Sequence, residues 1–339
     1  MAALFAFVVL AVALVKYGAD RYIAWNQTLE LAAHWRHPHE SAVLRPPTDF
    51  LLSSPTSAWL AGVMHAMTER GFLAFHFALA LLALVAPLFA SCVYRHARTR
   101  LLVAGLIIAS ALPPILLGWV GSYDPASVLG LTVGVLARNS LVAAAGWALF
   151  TFNNSSLAAV AFTIFAVVVA VELRRKSVGR LLAGGAGCAI GFCAISIVVH
   201  GWGGSTSRLG WFRQVPFLNY WNSLLGFWPY ILLGACGAGW LLLLSPAVRL
   251  RPSALALIAA AGVASLVLPL IAIDQSRIVA LAIWPAMLWL AVQVAPTISV
   301  RTLRWWLCVA FVTVIPIVWW DRLLYPGWRT LQPLLRAIL

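Results

Sequence analysis

Long apolar runs constrain this chain more than any other feature of its sequence. Runs close to 20 residues long and rich in Leu, Ala and Val recur along it, and a helix of about 20 residues spans the ~30 Å hydrocarbon core of a bilayer. The chain is 63% hydrophobic and 9% charged, which leaves too few polar groups to cover a soluble domain. The runs lack the alternation of an outer-membrane barrel. They predict an all-α polytopic membrane protein.

The runs predict about eleven transmembrane or re-entrant helices within one integral-membrane domain, residues 1–339. The predicted segments are 3–17, 71–93, 101–121, 126–137, 140–152, 155–172, 181–199, 224–246, 253–273, 278–295 and 304–320. The first segment has no basic start and no small-residue cleavage site, so we interpret it as a retained helix. Segments 126–137 and 140–152 are short, and we expect two short or re-entrant helices that turn at Arg138 and Asn139.

The net charge of +14 reflects topology and does not predict nucleic-acid binding. Basic residues cluster in short connections, for example at 95–100, 174–180, 249–251 and 301–304. The positive-inside rule makes these loops cytoplasmic, with the N-terminus inside and the C-terminus outside. All but one of the nine acids then lie on the outer side, so we expect the working face there.

Three outer segments stand out from the short connections. The first outer loop, 18–70, contains two stretches typical of interfacial amphipathic helices, 24–36 and 54–70. A second large outer loop spans 200–223, and 321–339 is predicted to be an interfacial C-terminal segment.

Asp274 and Arg277 are unusual because they interrupt the apolar stretch LPLIAIDQSRIVALAIWP. One interpretation is a salt bridge at i,i+3 that closes a turn at the outer boundary. The other is that Arg277 binds a phosphate while Asp274 orients it, because the guanidinium fork gives two charge-assisted hydrogen bonds to phosphate. Both interpretations stay open. The second large loop carries two further arginines, Arg208 and Arg213.

Asp124 is the second candidate residue, in the sequence GWVGSYDPASVLG. It could serve only as a helix N-cap, since Pro125 suits the first turn of the next helix. Alternatively it holds a sugar, with Tyr123 adding a stacking or hydrogen-bonding surface and Gly121 allowing a sharp turn.

Asp20 follows the first span in KYGADRYIAW, where it either pairs with Lys16 or Arg21 or acts as a general base at the water–membrane boundary. His200 lies at the outer mouth of a predicted helix and is a candidate substrate contact.

No motif predicts a cofactor. The sequence HWRHPHE offers His34, His37, His39 and Glu40, but Pro38 breaks the local geometry, and we interpret these groups as loop polarity. A divalent metal stays an alternative without a motif behind it. P-loop, Rossmann, zincin and serine-elbow patterns are absent, which argues against ATP-driven chemistry in this chain.

The arrangement resembles the GT-C superfamily of integral-membrane glycosyltransferases. Asp20 in GADRY resembles the acid that this family places just beyond its first span, and Asp124 in GSYDP resembles an acid of the second outer loop. Arg277 in DQSRI looks like the later position at which such enzymes meet a lipid phosphate. The first loop carries no Asp-Glu or Asp-x-Asp pair, so metal-free members are the better match.

The resemblance implies transfer of a sugar from a polyprenyl-phosphate donor to a lipid-linked or surface glycan acceptor, with inversion. It implies a bacterial inner or plasma membrane, with the active face periplasmic. Asp20 would take the acceptor's proton and Asp124 would orient sugar or acceptor. Arg277, with Arg208 or Arg213, would stabilise the phosphate as it leaves. Substrates and membrane lipids are then the partners, without nucleic acid.

Two other classes remain. A transporter or flippase of a lipid-linked or anionic substrate would also use broken helices such as 126–152, although it would place polar groups near the bilayer midplane. A non-catalytic membrane subunit would hold a partner through its outer loops.

Overall fold

Helices make up most of the described chain, as the apolar runs predict. The computed structural model describes residues 2–41, 49–94, 96–172, 175–204, 217–246, 248–270, 275–315, 317–319, 322–324 and 331–339. Its helices are α1 (Ala2–Tyr17), α2 (Trp25–Ala33), α3 (Thr56–Val63), α4 (Glu69–Ser91), α5 (Ala97–Ala109), α6 (Leu112–Leu117), α7 (Asp124–Leu136), α8 (Ser140–Asn153), α9 (Ser155–Ala170), α10 (Arg175–Gly201), α11 (Phe217–Cys236), α12 (Gly239–Leu243), α13 (Pro252–Val267), α14 (Gln275–Val294), α15 (Val300–Val312) and α16 (Leu331–Ile338). Short 3-10 turns cover Pro38–Glu40, Asp49–Ser53 and Leu268–Leu270.

Within the described ranges, three helices are long enough and apolar enough to cross a membrane. They are α4, the Val178–Gly201 part of α10, and α14. Six shorter apolar helices accompany them, α1, α7, α8, α9, α13 and the Leu225–Cys236 part of α11. This content supports an integral membrane protein of helical class.

The predicted hairpin in the middle of the chain is confirmed as two helices. α7 ends at Leu136 and α8 begins at Ser140. Between them Asn139 caps α8, because its Oδ1 accepts the backbone N–H of Leu141 at 2.8 Å and that of Val142 at 3.3 Å. The turn therefore lies at the predicted Arg138–Asn139 position.

Two predicted continuous helices are interrupted, so the predictions for 101–121 and 224–246 were wrong in this detail. The first divides into α5 and α6, where Ser110 is extended and two prolines open α6. The second divides at Gly237, whose φ of +54° is the left-handed conformation that favours glycine. That turn lets the Ala238 N–H donate to the Ala109 carbonyl at 3.0 Å.

The helix predicted over 304–320 ends early, and a short β-hairpin follows it. α15 stops at Val312, and Thr313 already has extended backbone angles. Ile317–Trp319 (β1) then pairs antiparallel with Arg322–Leu324 (β2), with Val318 opposite Leu323. The run TVIPIVWW is β-branched, aromatic and broken by proline, which favours strand over helix.

The three outer segments differ in how far the structure describes them. The predicted interfacial stretches of the first loop contain α2 and α3, and the C-terminal segment contains α16. The second large loop is shorter than predicted, because α11 begins at Phe217. Arg208, Arg213 and Asp274 lie outside the described residues.

α14 forms the centre of the bundle. Nearly all of its side chains are buried, and it packs against α5, α7, α9, α11 and α13. Its first turn carries Arg277, so a charged residue enters the interior at one end of the central helix.

The described contacts define two ends of the bundle. At the first, the site end (Asp20, Val120, Asp124 and Arg277), Arg21 forms an ion pair with Glu69 at the start of α4. α4 runs from there for 23 residues, a length of about 34 Å, to Ser91.

The opposite end, the arginine end (Arg98, Arg138, Arg251 and Arg301), joins the basic loops. Arg98 donates to the Ile298 carbonyl at 3.0 Å and Arg251 to the Thr297 hydroxyl at 3.2 Å, while Arg138 donates to the carbonyl of Val93, just beyond α4. Several loops that the positive-inside rule groups together therefore share one end. Their cytoplasmic orientation stays a prediction.

Candidate functional site

A backbone bridge fixes the segment after α1 against the end of α6. The Asp20 N–H donates to the Leu117 carbonyl at 2.8 Å, and the Val120 N–H donates to the Asp20 carbonyl at 2.9 Å. The Tyr22 N–H donates in turn to the Val120 carbonyl at 2.8 Å, which completes an isolated parallel bridge. Main-chain pairing of this kind holds Asp20 in place without using its carboxylate.

The Asp20 side chain lies at the surface of the site end. It is exposed, and its Oδ1 accepts the backbone N–H of Arg21 at 2.7 Å. The Arg21 guanidinium turns instead to Glu69, at 3.2 Å, and lies 5.5 Å from the centre of the Trp25 ring. The predicted pairing with Lys16 does not form either, because the Lys16 Nζ donates to the Ala310 carbonyl at 2.8 Å.

A buried ion pair lies behind this exposed carboxylate. Nη1 of Arg277 lies 3.4 Å from Oδ2 of Asp124, and the two side chains are 2% and 0% exposed. The Ser122 hydroxyl donates to the same Oδ2 at 3.2 Å. Residues 153 positions apart in the chain therefore meet at the start of α7 and α14.

Two aromatic rings surround the Arg277 guanidinium. Its Nη2 donates to the Tyr123 hydroxyl at 2.7 Å. Its central carbon lies 5.0 Å from the centre of the Tyr123 ring and 5.1 Å from that of the Trp119 ring, within the range of a cation–π interaction. Trp119 in turn makes an edge contact with Tyr22, at 6.3 Å between ring centres. The ion pair and the bridge are thus parts of one packed unit.

The local sequence explains this turn. Gly121 has a φ of +100°, and a Cβ there would come within 2.9 Å of the Trp25 Cβ, so only glycine suits the position. Pro125 occupies the first turn of α7, where a missing N–H costs nothing. Asp124 lies in the first turn as well, beyond the N-cap residue Tyr123, where the helix dipole favours a carboxylate.

Two polar residues that the sequence analysis did not single out support the turn. The Asn153 amide donates to the Tyr123 carbonyl at 2.7 Å and to the Ser127 hydroxyl at 2.8 Å. The Ser57 hydroxyl donates to the Ser122 carbonyl at 3.3 Å. A signal for Asn153 existed, because the pair Asn153–Asn154 ends an apolar helix where two amides would not be needed for packing alone.

The remaining candidates are not joined to this unit by described contacts. His200 is exposed in the last turn of α10, a helix that packs chiefly on α8 and α9. The predicted Asp274–Arg277 salt bridge and both loop arginines, Arg208 and Arg213, fall outside the described residues. Asp20, Asp124, Arg277 and Tyr123 are the predicted residues that the structure brings to one end.

A group of possible metal ligands lies in the first loop. Ligand atoms of His37, His39 and Glu40 all lie within 4.8 Å of one another, and all three residues are exposed. Imidazole nitrogen and carboxylate oxygen are ordinary zinc ligands. His34 lies alongside and pairs with Glu30 at 3.2 Å. Among the described residues this group is the one close enough to share an ion, whereas the sequence analysis favoured loop polarity over a metal site here.

Comparison with known proteins yields no match to a protein family, to a curated protein or to a solved structure.

Proposed function

We propose that this chain is a glycosyltransferase of the GT-C type, with about eleven membrane-embedded helices and its site end on the outer face of a bacterial inner membrane. It moves a sugar from a polyprenyl-phosphate donor to a lipid-linked or surface glycan acceptor, with inversion at the anomeric carbon. The observation that carries the proposal is the backbone bridge of Arg21 with Val120, formed by the hydrogen bonds of Asp20 and Tyr22 to Val120. It brings the acid after the first helix and the acid of the next outer turn to the same end.

Asp20 is the general base in this proposal. An exposed carboxylate on a fixed backbone can reach the hydroxyl of an acceptor that approaches from water. As Asp20 takes the hydroxyl proton, the acceptor oxygen bonds to the anomeric carbon. The bond from that carbon to the phosphate oxygen breaks, and the polyprenyl phosphate leaves with the electron pair.

Asp124, Arg277 and Tyr123 position the turn that carries this end. The guanidinium is 2% exposed and engaged by a carboxylate, a hydroxyl and two rings. Because the guanidinium is buried, Arg277 can bind the leaving phosphate only if the surrounding turn opens to admit it. Arg208, Arg213 and Asp274 complete the proposed phosphate contacts, and His200 remains a proposed substrate contact.

Mass spectrometry of lipid-linked sugars tests the proposal. Cells that lack the gene are complemented with wild type, Asp20→Asn or Glu30→Gln at equal membrane levels. Glu30 is a matched control because it is an acid of the same outer loop that pairs with His34. We expect Asp20→Asn alone to accumulate the polyprenyl-phosphate donor and a glycan that lacks one sugar. Unchanged profiles in all three strains would favour a transporter or a non-catalytic subunit.

Metal removal is a second test of the mechanism. The proposed displacement uses a carboxylate base and no metal, so EDTA treatment should leave transfer by purified protein within about twofold of the untreated rate, since metal ligation is not part of the step. Loss of activity that Mn²⁺ or Zn²⁺ restores would contradict this, and would make His37, His39 and Glu40 the candidate metal ligands.

A further inference from the structure

A cavity of about 440 Å³ opens at the arginine end, and none of its lining residues belongs to the candidate site. It lies between α12, with the turn that follows it, and the first two turns of α15. Its lining is mostly apolar side chain, with an arginine and two hydroxyl groups among it. Nothing in the proposed transfer reaction uses this cavity.

The floor of the cavity is rigid. Trp306 is buried, and its indole N–H donates to the Ala238 carbonyl at 2.8 Å. Gly105 lies against the same ring, since a Cβ at that position would come within 2.4 Å of it. Because the Trp306 ring is held on both sides, it cannot rotate into the cavity and fill it.

The outer wall of the cavity is apolar and accessible. Trp305 is 58% exposed and Leu244 is 59% exposed, and Leu241 lies beside them in the lining. Such side chains at the end of an apolar helix bundle are suited to contact an acyl chain rather than water.

Two polar groups at the cavity have no hydrogen-bond partner among the described residues. Arg301 is exposed and makes no described hydrogen bond or ion pair, whereas Arg98 and Arg251 nearby are engaged by Ile298 and Thr297. Ser245 is 8% exposed, and its buried hydroxyl is unsatisfied. The Ser245 hydroxyl lines the cavity, so it can form a hydrogen bond to a polar group of a ligand bound there.

We propose that this cavity binds an anionic glycerophospholipid of the surrounding leaflet. The phosphate pairs with Arg301, an ester oxygen accepts the Ser245 hydroxyl, and one acyl chain lies along Leu241, Leu244 and Trp305. Basic cavities between membrane helices bind acidic lipid head groups. Anionic lipids are also concentrated in the cytoplasmic leaflet, which is the side that the positive-inside rule assigns to the basic loops. A free phosphate would fill only the polar corner and leave the apolar wall bare.

α15 supplies its own control. Arg301, Thr302, Trp305 and Trp306 share the face that lines the cavity, with spacings of one turn. Arg304 is an exposed arginine on the same helix that is not part of the lining. Arg301→Gln and Arg304→Gln therefore remove the same charge from the same helix, but only the first removes it from the cavity.

The test measures lipid binding by native mass spectrometry and by thermal shift on the full-length protein in neutral detergent. Probes are dioctanoyl phosphatidylglycerol, dioctanoyl phosphatidylcholine and inorganic phosphate. We expect phosphatidylglycerol to bind at least tenfold more tightly than phosphatidylcholine. Arg301→Gln should weaken phosphatidylglycerol binding roughly tenfold, as expected for loss of one charge-assisted hydrogen bond, while Arg304→Gln leaves it unchanged. Leu244→Trp, which fills the exposed wall and keeps every charge, should also weaken it.

Three results would overturn the proposal. Equal losses in Arg301→Gln and Arg304→Gln would show diffuse attraction to the basic surface. Equal affinity for phosphatidylcholine would remove the role of the head-group charge. Displacement of the lipid by inorganic phosphate at a similar concentration, with Leu244→Trp inert, would show a phosphate site without an acyl contact.

Discussion

At the scale of single residues, the burial of the Arg277 charge has direct energetic consequences. A charge that is 2% exposed costs several kcal/mol of desolvation unless its partners are well placed. Asp124, Tyr123 and Trp119 supply a carboxylate, a hydroxyl and a ring face. The guanidinium is suited to this because its planar fork can donate in one direction and stack in another.

Replacing either partner of the ion pair alone should lower the free energy of unfolding much more than replacing both together. Arg277→Gln leaves the Asp124 carboxylate buried without its cation, so we expect a loss of about 3–5 kcal/mol in the free energy of unfolding. Asp124→Asn should lose a similar amount. The double variant Asp124→Asn/Arg277→Gln should recover most of the loss, because two amides can hydrogen-bond to each other. Thermal unfolding of the four proteins in detergent measures this coupling, and strictly additive losses would contradict it.

Single-residue predictions succeeded where chemistry is local. Gly121 was expected to turn the chain sharply and does, with a φ of +100°. Tyr123 contacts Arg277 through both its hydroxyl and its ring, and its predicted role as a surface for a sugar stays a prediction. One sequence could not give that pairing, because nothing in the local pattern at Arg277 points to a residue 153 positions away.

At the scale of elements, close helix packing decides the middle of the chain. A Cβ at Gly146 of α8 would lie 2.3 Å from the backbone nitrogen of Gly134 in α7. The glycine therefore sets how closely these two helices approach, as small residues do between membrane helices. Sequence periodicity found the helices but not this contact, which depends on how two helices face each other.

Gly146→Ala should destabilise the protein. The added methyl meets backbone, which cannot move as a flexible side chain can, so we expect the melting temperature to fall by about 5 °C, the shift that overpacking by one to two kcal/mol produces. Gly262→Ala in α13 is the matched control, because a Cβ there meets nothing within 4 Å. A melting temperature for Gly146→Ala equal to that of Gly262→Ala would contradict the close approach.

The ends of elements were predicted less well than the elements themselves. The apolar runs located α1, α4, α7, α8 and α9 within about two residues. They missed the breaks at Ser110 and Gly237 and the hairpin after α15. Hydrophobicity measures burial in lipid or core, and an interrupted helix in such surroundings is as apolar as a continuous one.

At the scale of the whole molecule, the candidate site and the proposed lipid cavity lie at opposite ends of the helix bundle. Asp20 and the ion pair lie at the site end. Arg301, which has no hydrogen bond or ion pair among the described residues, lies with its cavity at the arginine end. α4 joins the two over about 34 Å, close to the thickness of a bilayer core. Charge asymmetry in the sequence predicted that the basic loops would group together, because insertion topology depends on charge and not on tertiary contacts.

Orientation can be tested by labelling. With the exposed cysteines Cys92, Cys193 and Cys308 replaced by serine, single cysteines are introduced as Glu40→Cys and Arg249→Cys. A membrane-impermeant maleimide should label Glu40→Cys in intact spheroplasts, but Arg249→Cys only after permeabilisation, since basic loops stay inside. The background protein without either change corrects for the remaining native cysteines. The reverse pattern would contradict an outward-facing site end.

The most direct measurement is release of polyprenyl phosphate by purified protein in proteoliposomes that contain the donor and acceptor lipids of its native membrane. Asp20→Asn keeps the Oδ1 atom that accepts the Arg21 N–H and leaves the backbone bridge intact, so its melting temperature should match wild type. Its transfer rate should fall by about a hundredfold or more, the contribution of a general base. Equal rates for wild type and Asp20→Asn, or no release by wild type, would contradict the proposed function.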